Sequence, residues 1–209
     1  MIIDKISTAY PAANCFLCWD EESRLAVLID PPADVKLVED ALTARSLTLR
    51  MIFLTHGHFD HIFGVDVLRR KYSVPLAIHE EDADMLCDPV KNASMLFFNE
   101  KHVYCPADIL LHGGEEFVLE QSRISVLHTP GHSPGSVCYC MGQECVTGDA
   151  LFRCSIGRTD LPGGDDAAMQ ATLMRLSALP DDIAVYPGHG EISTMAYEKK
   201  YNPYLQRRL

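Results

Sequence analysis

Residues 55–64 read Thr-His-Gly-His-Phe-Asp-His-Ile-Phe-Gly and follow directly on the apolar run "LRMIFL". His56, His58, Asp60 and His61 thus fall within six positions. Imidazole nitrogens and carboxylate oxygens are ordinary donors to zinc, iron and manganese, so this stretch points to metal coordination rather than to packing. The segment "LRMIFLT" reads as a short buried strand. If the chain stays extended past it, His56 and His58 project to the same side, because strand side chains alternate with period two, and the pair can share one ion. Asp60 and His61 are adjacent and would diverge in an extended chain. The spacing of Ile62, Val65, Leu68 and Arg69 instead predicts a helix beginning here, from which both side chains reach a neighbouring position for a second ion. Gly57 allows the backbone angles that so tight a loop needs.

Three more donors stand in the same kind of context. His132 lies in "TPGHSPGS" after the strand-like "ISVLHT", Asp149 in "VTGDALF", and His189 in "VYPGHGEIS". Each sits at a strand end beside glycine, and a sheet brings such loops to one edge. His79, His102, His112 and His128 lack that combination and read as solvated side chains. In "SIGRTDLPGGD", Arg158 can pair with a substrate carboxylate or, with equal weight, with Asp160. "MLFF", residues 95–98, reads as core packing.

The elements that must position these donors come in two similar halves. Strands are expected at "MIIDKIS", "ANCFLCW" and "RLAVLID", then a helix over "ADVKLVEDALTARS" with Val35, Val38, Leu42 and Leu47 on one face. The strand "LRMIFLT", the helix "FGVDVLRRKY" and the strand "PLAIH" follow, while residues 80–112 suggest no element. Closely spaced strands are then expected at "EEFVLE", "RISVLHT", "GSVCYCM" and "ECVTGD". A helix over "DDAAMQATLMRLSALP", with Asp165 or Asp166 as N-cap, leads to a strand in "IAVYPGHG" and a last helix carrying "MAYEKKY". Strands followed by helices, twice over, imply an α/β chain of two sheets packed face to face with helices outside.

The 209 residues are most simply one domain spanning 1–209. With 29 acidic against 18 basic side chains, a net charge of -11 and no basic block, neither a nucleic-acid partner nor an anionic membrane surface is expected. No apolar run is long enough to span a bilayer and no leader pattern opens the chain, so a cytoplasmic location is expected. Thiols stay reduced there, and the eight cysteines read as small buried hydrophobes. "CFLC", Cys15 to Cys18, falls within a strand pattern that puts its two sulfurs on opposite faces.

Taken together and in order, "THGHFDH", "TPGHSPGS", "TGDALF" and "PGHG" resemble the metallo-β-lactamase fold, and within it the glyoxalase II-like hydrolases. The resemblance spans nearly the whole chain and implies a four-layer αββα sandwich with a binuclear centre at one edge of the sheets. It implies His56, His58 and His132 on one divalent ion, Asp60, His61 and His189 on the other, and Asp149 between them. Zinc is the expected metal, with iron and manganese as alternatives. Only 20 residues follow His189, so the C-terminal helical domain that helps glyoxalase II bind glutathione has no counterpart, as in the shorter bacterial relatives. Arg158 matches a basic position of the family's substrate site, whereas an aromatic position near Asp160 is not kept.

Two divalent ions together lower the pKa of a shared water toward neutrality and polarise a carbonyl, so the expected activity is hydrolysis of a small hydroxyacyl thioester. Asp60, Asp149 and Arg158 are the expected catalytic side chains, and Arg158 and Asp160 the substrate-binding ones. The competing expectation is a persulfide dioxygenase, in which His56, His132 and Asp149 would be the facial triad for one Fe(II). The hydrolase-like "PGHG" at His189 weighs against it.

Overall fold

The computed structural model describes residues 1–6, 13–99 and 101–206. Strands β1 (Ile2–Ile6), β2 (Cys15–Trp19) and β3 (Leu25–Ile29) form an antiparallel meander. Ser7, the last residue of the first expected strand, lies outside the described residues. Helix α1 (Val35–Ala44) buries Val38 and Leu42 and is capped by the Asp34 side chain, which accepts from the Lys36 amide. Strand β4 (Thr48–Phe53) then runs parallel to β3.

The helix expected from the histidine loop onward is broken in two. Helix α2 (Phe59–Ile62) carries Asp60 and His61, and α3 (Val65–Tyr72) resumes after Gly64. A Cβ at Gly64 would stand 2.4 Å from the Pro32 carbonyl oxygen, so the break occurs where the backbone presses against the loop after β3. Strand β5 (Leu76–His79) leads into residues 80–112, which hold more structure than the sequence suggested. They contain a 3₁₀ segment (Glu80–Leu86), the short helix α4 (Ser94–Phe98) and strand β6 (Ile109–Leu111). The first sheet has the order β1-β2-β3-β4-β5-β6.

The second sheet is built from β7 (Glu116–Leu119), β8 (Ser122–His128), β9 (Val137–Met141) and β10 (Glu144–Gly148), each antiparallel to the next. Helix α5 (Asp166–Ser177) follows, with the Asp165 carboxylate accepting from the Ala168 amide. Strand β11 (Ala184–Pro187) is parallel to β10, and the short β12 (Ser193–Thr194) closes the sheet order β12-β11-β10-β9-β8-β7. Helices α6 (Met195–Tyr201) and α7 (Pro203–Gln206) end the described chain.

Three apolar layers show the four-layer αββα arrangement. Leu17, Ile52, Val38, Leu42 and Leu68 join the first sheet to α1 and α3. Phe16, Val27, Phe53, Val126, Tyr139 and Val146 fill the space between the sheets. Cys145, Val185, Met169, Leu173 and Leu176 join the second sheet to α5. Strand β2 is buried on both faces, which is why it reads as a continuous apolar run rather than an alternation.

Several readings of single side chains change. Cys15 and Cys18 are buried and enter different layers, as alternation requires. However, Cys87, Cys105 and Cys154 are exposed, and Cys140 is disulfide-bonded to Cys145, its directly opposed residue on the neighbouring strand. Register across β9–β10 sets that pairing, which spacing alone does not reveal. His79 is buried and stacks on His128 at 4.1 Å rather than facing solvent. His112, as expected, is exposed, and it pairs with Glu80.

Candidate metal centre

Strands β8, β10 and β11 point the same way, because β8 and β10 are both antiparallel to β9, and β11 is parallel to β10. Their C-terminal ends therefore carry His132, Asp149 and His189 to one edge of the second sheet. The end of β4 joins that edge across the sandwich, where the Val137 amide donates to the Thr55 carbonyl at 2.8 Å. All seven expected donors converge there.

They fall into overlapping sets. The donor atoms of His56, His58 and His132 lie within 4.8 Å of one another, as do those of Asp60, His61 and His189. Extended backbone at His58 turns its ring beside that of His56, with centroids 4.8 Å apart. Asp149 reaches both sets: its carboxylate oxygens stand 3.4 Å from His61 Nε2, 3.4 Å from His132 Nε2 and 3.6 Å from His189 Nε2. His189 Nε2 is 3.2 Å from Asp60 Oδ2, and His58 Nδ1 is 2.9 Å from His132 Nε2. Gly188 makes room for this packing, since a Cβ there would lie 2.2 Å from Asp149 Oδ1.

Buried partners fix which nitrogen of His56, His61 and His132 faces the centre. Asp30, itself buried and in a left-handed conformation at φ 54°, accepts from the Thr55 amide at 2.8 Å and the Thr55 hydroxyl at 2.7 Å. The same carboxylate accepts from His61 Nδ1 at 2.9 Å. With its proton committed to Asp30, the Thr55 hydroxyl oxygen accepts from His56 Nδ1 at 3.1 Å. His132 Nδ1 donates to the Arg158 carbonyl at 2.6 Å. Each arrangement presents Nε2 to the centre. Asp82 braces the two histidine loops together by accepting from the Gly57 and Gly135 amides and the Ser133 hydroxyl.

The donor set fits a divalent metal. His56 Nε2, His61 Nε2 and Asp149 Oδ1 are buried without a hydrogen-bond partner, which is costly unless something else binds them. Two nitrogens on one zinc, each about 2.0–2.1 Å from it, stand about 3.4 Å apart in tetrahedral geometry. The spacings of 2.9 to 3.6 Å bracket that edge. Electrostatics agree. Burial, followed by the neighbouring imidazoles of His61 and His132, pushes His56 well below its ordinary pKa. Burial and His132 take His58 down to about 3, so both rings are neutral and able to ligate. At His61 burial is outweighed by Asp30, Asp60 and Asp149, which raise it far above its ordinary value. Burial is likewise outweighed at Asp60 and Asp149, where His61 leads the groups that hold the carboxylates below their usual range. The centre thus draws positive charge to the lone pair that a metal would occupy.

The sequence is matched over residues 11–189 by the family described as the metallo-beta-lactamase superfamily. GloC of Haemophilus influenzae, described as a hydroxyacylglutathione hydrolase, is 32% identical over 93% of this chain and 93% of its own. YqgX of Bacillus subtilis, a probable metallo-hydrolase, is 34% identical over 91% and 90%. The chain belongs to the metallo-β-lactamase superfamily. Among solved structures, the BLEG-1 B3 metallo-β-lactamase superposes with TM-score 0.93 at 35% identity, over 99% of this chain and 100% of that one. ETHE1 from Myxococcus xanthus gives 0.82 at 31%, over 100% and 86%. TTHA1623, solved in a di-iron-bound form, gives 0.85 at 33%, over 97% and 100%.

Beside this donor cluster, a cavity of about 590 Å³ opens on His58, Asp60, Asp149 and His189. Phe59, Phe97, Phe98, Phe152, Ile156 and Leu161 supply its apolar lining. Residues 97 and 98 thus face the pocket and solvent, being 51% and 40% exposed, and the core-packing expectation for "MLFF" fails there. Arg158 also lines the cavity, but Asp160 holds its guanidinium fork to fork, at 2.6 Å from Nε and 2.7 Å from Nη2. Both residues are therefore near the site, in the ion-paired form of the two alternatives. Asp30 and Asp82 were missed because nothing in sequence joins them to the histidines. The one available signal was a carboxylate closing the buried strand "LAVLI", where an uncompensated charge is costly.

Proposed function

We propose that the chain is a binuclear metallohydrolase that cleaves acyl thioesters, of glyoxalase II type. The observation that carries the reading is the gathering of all seven donors into two sets that share Asp149. His56, His58 and His132 would hold one divalent ion and Asp60, His61 and His189 the other, with zinc or iron fitting the nitrogen-rich set. Two such ions supply a water-derived nucleophile near neutral pH and Lewis-acid polarisation of the carbonyl.

The protein's own residues do the rest. Asp149 keeps the two donor sets in register. Asp30 and Thr55 hold His61 and His56 in the tautomers that ligate, and Asp82 fixes the loops that carry His58 and His132. Phe59, Phe97 and Phe98 narrow the approach and exclude bulk water from one wall. A thiolate leaves with a conjugate pKa of about 8.5 and needs little proton help. An amide nitrogen must be protonated as it departs. Among the described residues lining the pocket, every carboxylate and imidazole belongs to the donor set, which leaves no independent acid. That favours thioesters over β-lactams, although BLEG-1 is described as a B3 metallo-β-lactamase.

The similarity to ETHE1 supports a second reading, a mononuclear Fe(II) persulfide dioxygenase using His56, His132 and Asp149. One experiment separates the two. Protein loaded with zinc and, separately, with iron is analysed for metal content, then assayed with an acyl thioester, a matched oxyester, a β-lactam and a persulfide under oxygen. The hydrolase reading expects about two ions per chain and thioester cleavage at least about a hundredfold faster than β-lactam cleavage. One bound iron, inert thioesters and rapid persulfide-dependent oxygen uptake would establish the dioxygenase instead.

A further inference from the structure

Resting on the thioesterase reading for its chemistry, we propose that the pocket selects uncharged thioesters with an apolar acyl chain and disfavours anionic thiol carriers such as glutathione. Three observations on this chain carry the proposal.

The first is the wall. Phe97 and Phe98 stand on α4, a helix of five residues with left-handed backbone at each end, Ala93 at φ 65° and Asn99 at φ 53°. Both rings pack on Phe59, at centroid distances of 5.3 and 5.0 Å, directly beside the donor-bearing Asp60. Buried Asn92 secures the preceding turn: its side chain accepts from the Ser94 amide and donates to the Met85 and His102 carbonyls. The Phe59 amide in turn donates to the Asn92 carbonyl. Two large rings are therefore held half-exposed at the mouth of the cavity, an arrangement that wastes apolar surface unless a ligand covers it.

The second observation is the fixed opposite wall. The Asn202 side-chain amide donates to the Phe152 and Ser155 carbonyls, and buried Glu198 accepts from the Cys154 amide at 2.8 Å. The C-terminal helices thereby hold Phe152 against the site, where its ring is 5.8 Å from that of His189. Apolar surface flanks the metal donors on both sides.

The third is the state of the cations. Arg158 is the one arginine or lysine lining the pocket among the described residues, and Asp160 takes its Nε and Nη2. Nearby Arg153 is paired with Glu191 and stacked over Tyr197. A glutathione conjugate would bring two carboxylates and one ammonium to a protein of net charge -11 before metal is bound, and among the described residues its cavity offers no guanidinium free of a carboxylate partner. Long-range repulsion and the lack of a partner act in the same direction.

The test uses metal-loaded protein and two readouts. The first is kcat/KM for acetyl, butanoyl and hexanoyl thioesters of N-acetylcysteamine, an uncharged thiol, and for the hexanoyl thioester of glutathione. We expect kcat/KM to rise about fourfold per added methylene, the ratio that burial of one CH₂ supplies. The uncharged carrier should exceed glutathione by about tenfold, with the gap narrowing as salt is raised. In the F97A/F98A double variant the hexanoyl-to-acetyl ratio should fall at least tenfold, and D160N should shift the carrier ratio toward glutathione by freeing Arg158. The second readout is calorimetric binding of uncleavable thioether analogues of the acetyl and hexanoyl substrates, with the same chain-length preference expected. Thioesters left uncleaved while the hexyl analogue still binds preferentially would overturn the thioesterase reading and leave a pocket for apolar ligands. Thioesters cleaved with a flat chain-length dependence, unchanged in F97A/F98A, or with glutathione preferred, would overturn this inference and leave the thioesterase reading intact.

Discussion

Asp30 gives the sharpest test of how the fold prepares the metal donors. One of its oxygens accepts from the Thr55 amide, and the other accepts from both the Thr55 hydroxyl and His61 Nδ1. Asp30→Asn keeps the shape but replaces one acceptor oxygen by an NH₂ donor. Whichever way the amide is turned, it sets a donor against a donor: either against the Thr55 amide or against His61 Nδ1. The first outcome leaves a buried backbone N–H unpaired, at a cost of about 1–3 kcal/mol. The second drives the His61 proton to Nε2, where it blocks the lone pair that faces Asp149. Loss of such a partner usually lowers metal affinity by about 10- to 100-fold, or about 1.4–2.7 kcal/mol. The expected result for D30N is therefore a thermal midpoint lower by about 3–8 °C in the metal-free protein. Where the amide turns its NH₂ to His61, one ion per chain should bind more weakly by that factor in a competition titration against a chelator, while an ion at His56, His58 and His132 would be less affected. If D30N bound both ions as tightly as the parent and lost no stability, the claim that Asp30 holds the Thr55 amide and sets the His61 tautomer would be wrong.

Asp149→Ala should lower metal content more than any single histidine substitution, because among the described residues only that carboxylate reaches His61, His132 and His189 together; elemental analysis of purified variants checks this. The double variant C15S/C18S should lose about 2–4 kcal/mol of stability with metal content unchanged, since both thiols are buried in apolar layers and burial raises their pKa values; denaturant unfolding and elemental analysis read the two effects separately. The Asp20 carboxyl is held down to about 2 by the amide and hydroxyl of Ser23 and the hydroxyl of Ser122. Its unfolded value is about 3.9, so its contribution to stability is present above pH of about 4 and is lost as pH falls toward 2. D20N should accordingly show a shallower acid-side loss of stability in that window, measured by denaturant midpoints across pH, and an unchanged slope would contradict the assignment.

The convergence of the seven candidate donors was legible from sequence because ligand chemistry restricts residue types and strand ends restrict their placement. Period-two alternation placed His56 and His58 side by side, and a helical start let Asp60 and His61 serve one neighbouring position, as α2 does. The doubled succession of strands and helices likewise implied two sheets with helices outside, and apolar periodicity located α1 and α5. Sequence could not join residues that only sheet register and loop closure make neighbours. Asp30 meets His61 across 31 positions, and Asp82 meets Ser133 across 51. Cys140 meets Cys145 because β9 and β10 pair in one register, and a one-residue slip would turn both to other partners. "MLFF" carries the same apolar signal whether its rings enter a core or line a cavity, and the left-handed turns at Ala93 and Asn99 decided the latter. Composition and local period thus determined which chemistry the chain can hold. Tertiary contacts determined the tautomers of the rings, the partner of Arg158 and the apolar character of the pocket, since each depends on distances between segments that local propensity does not encode.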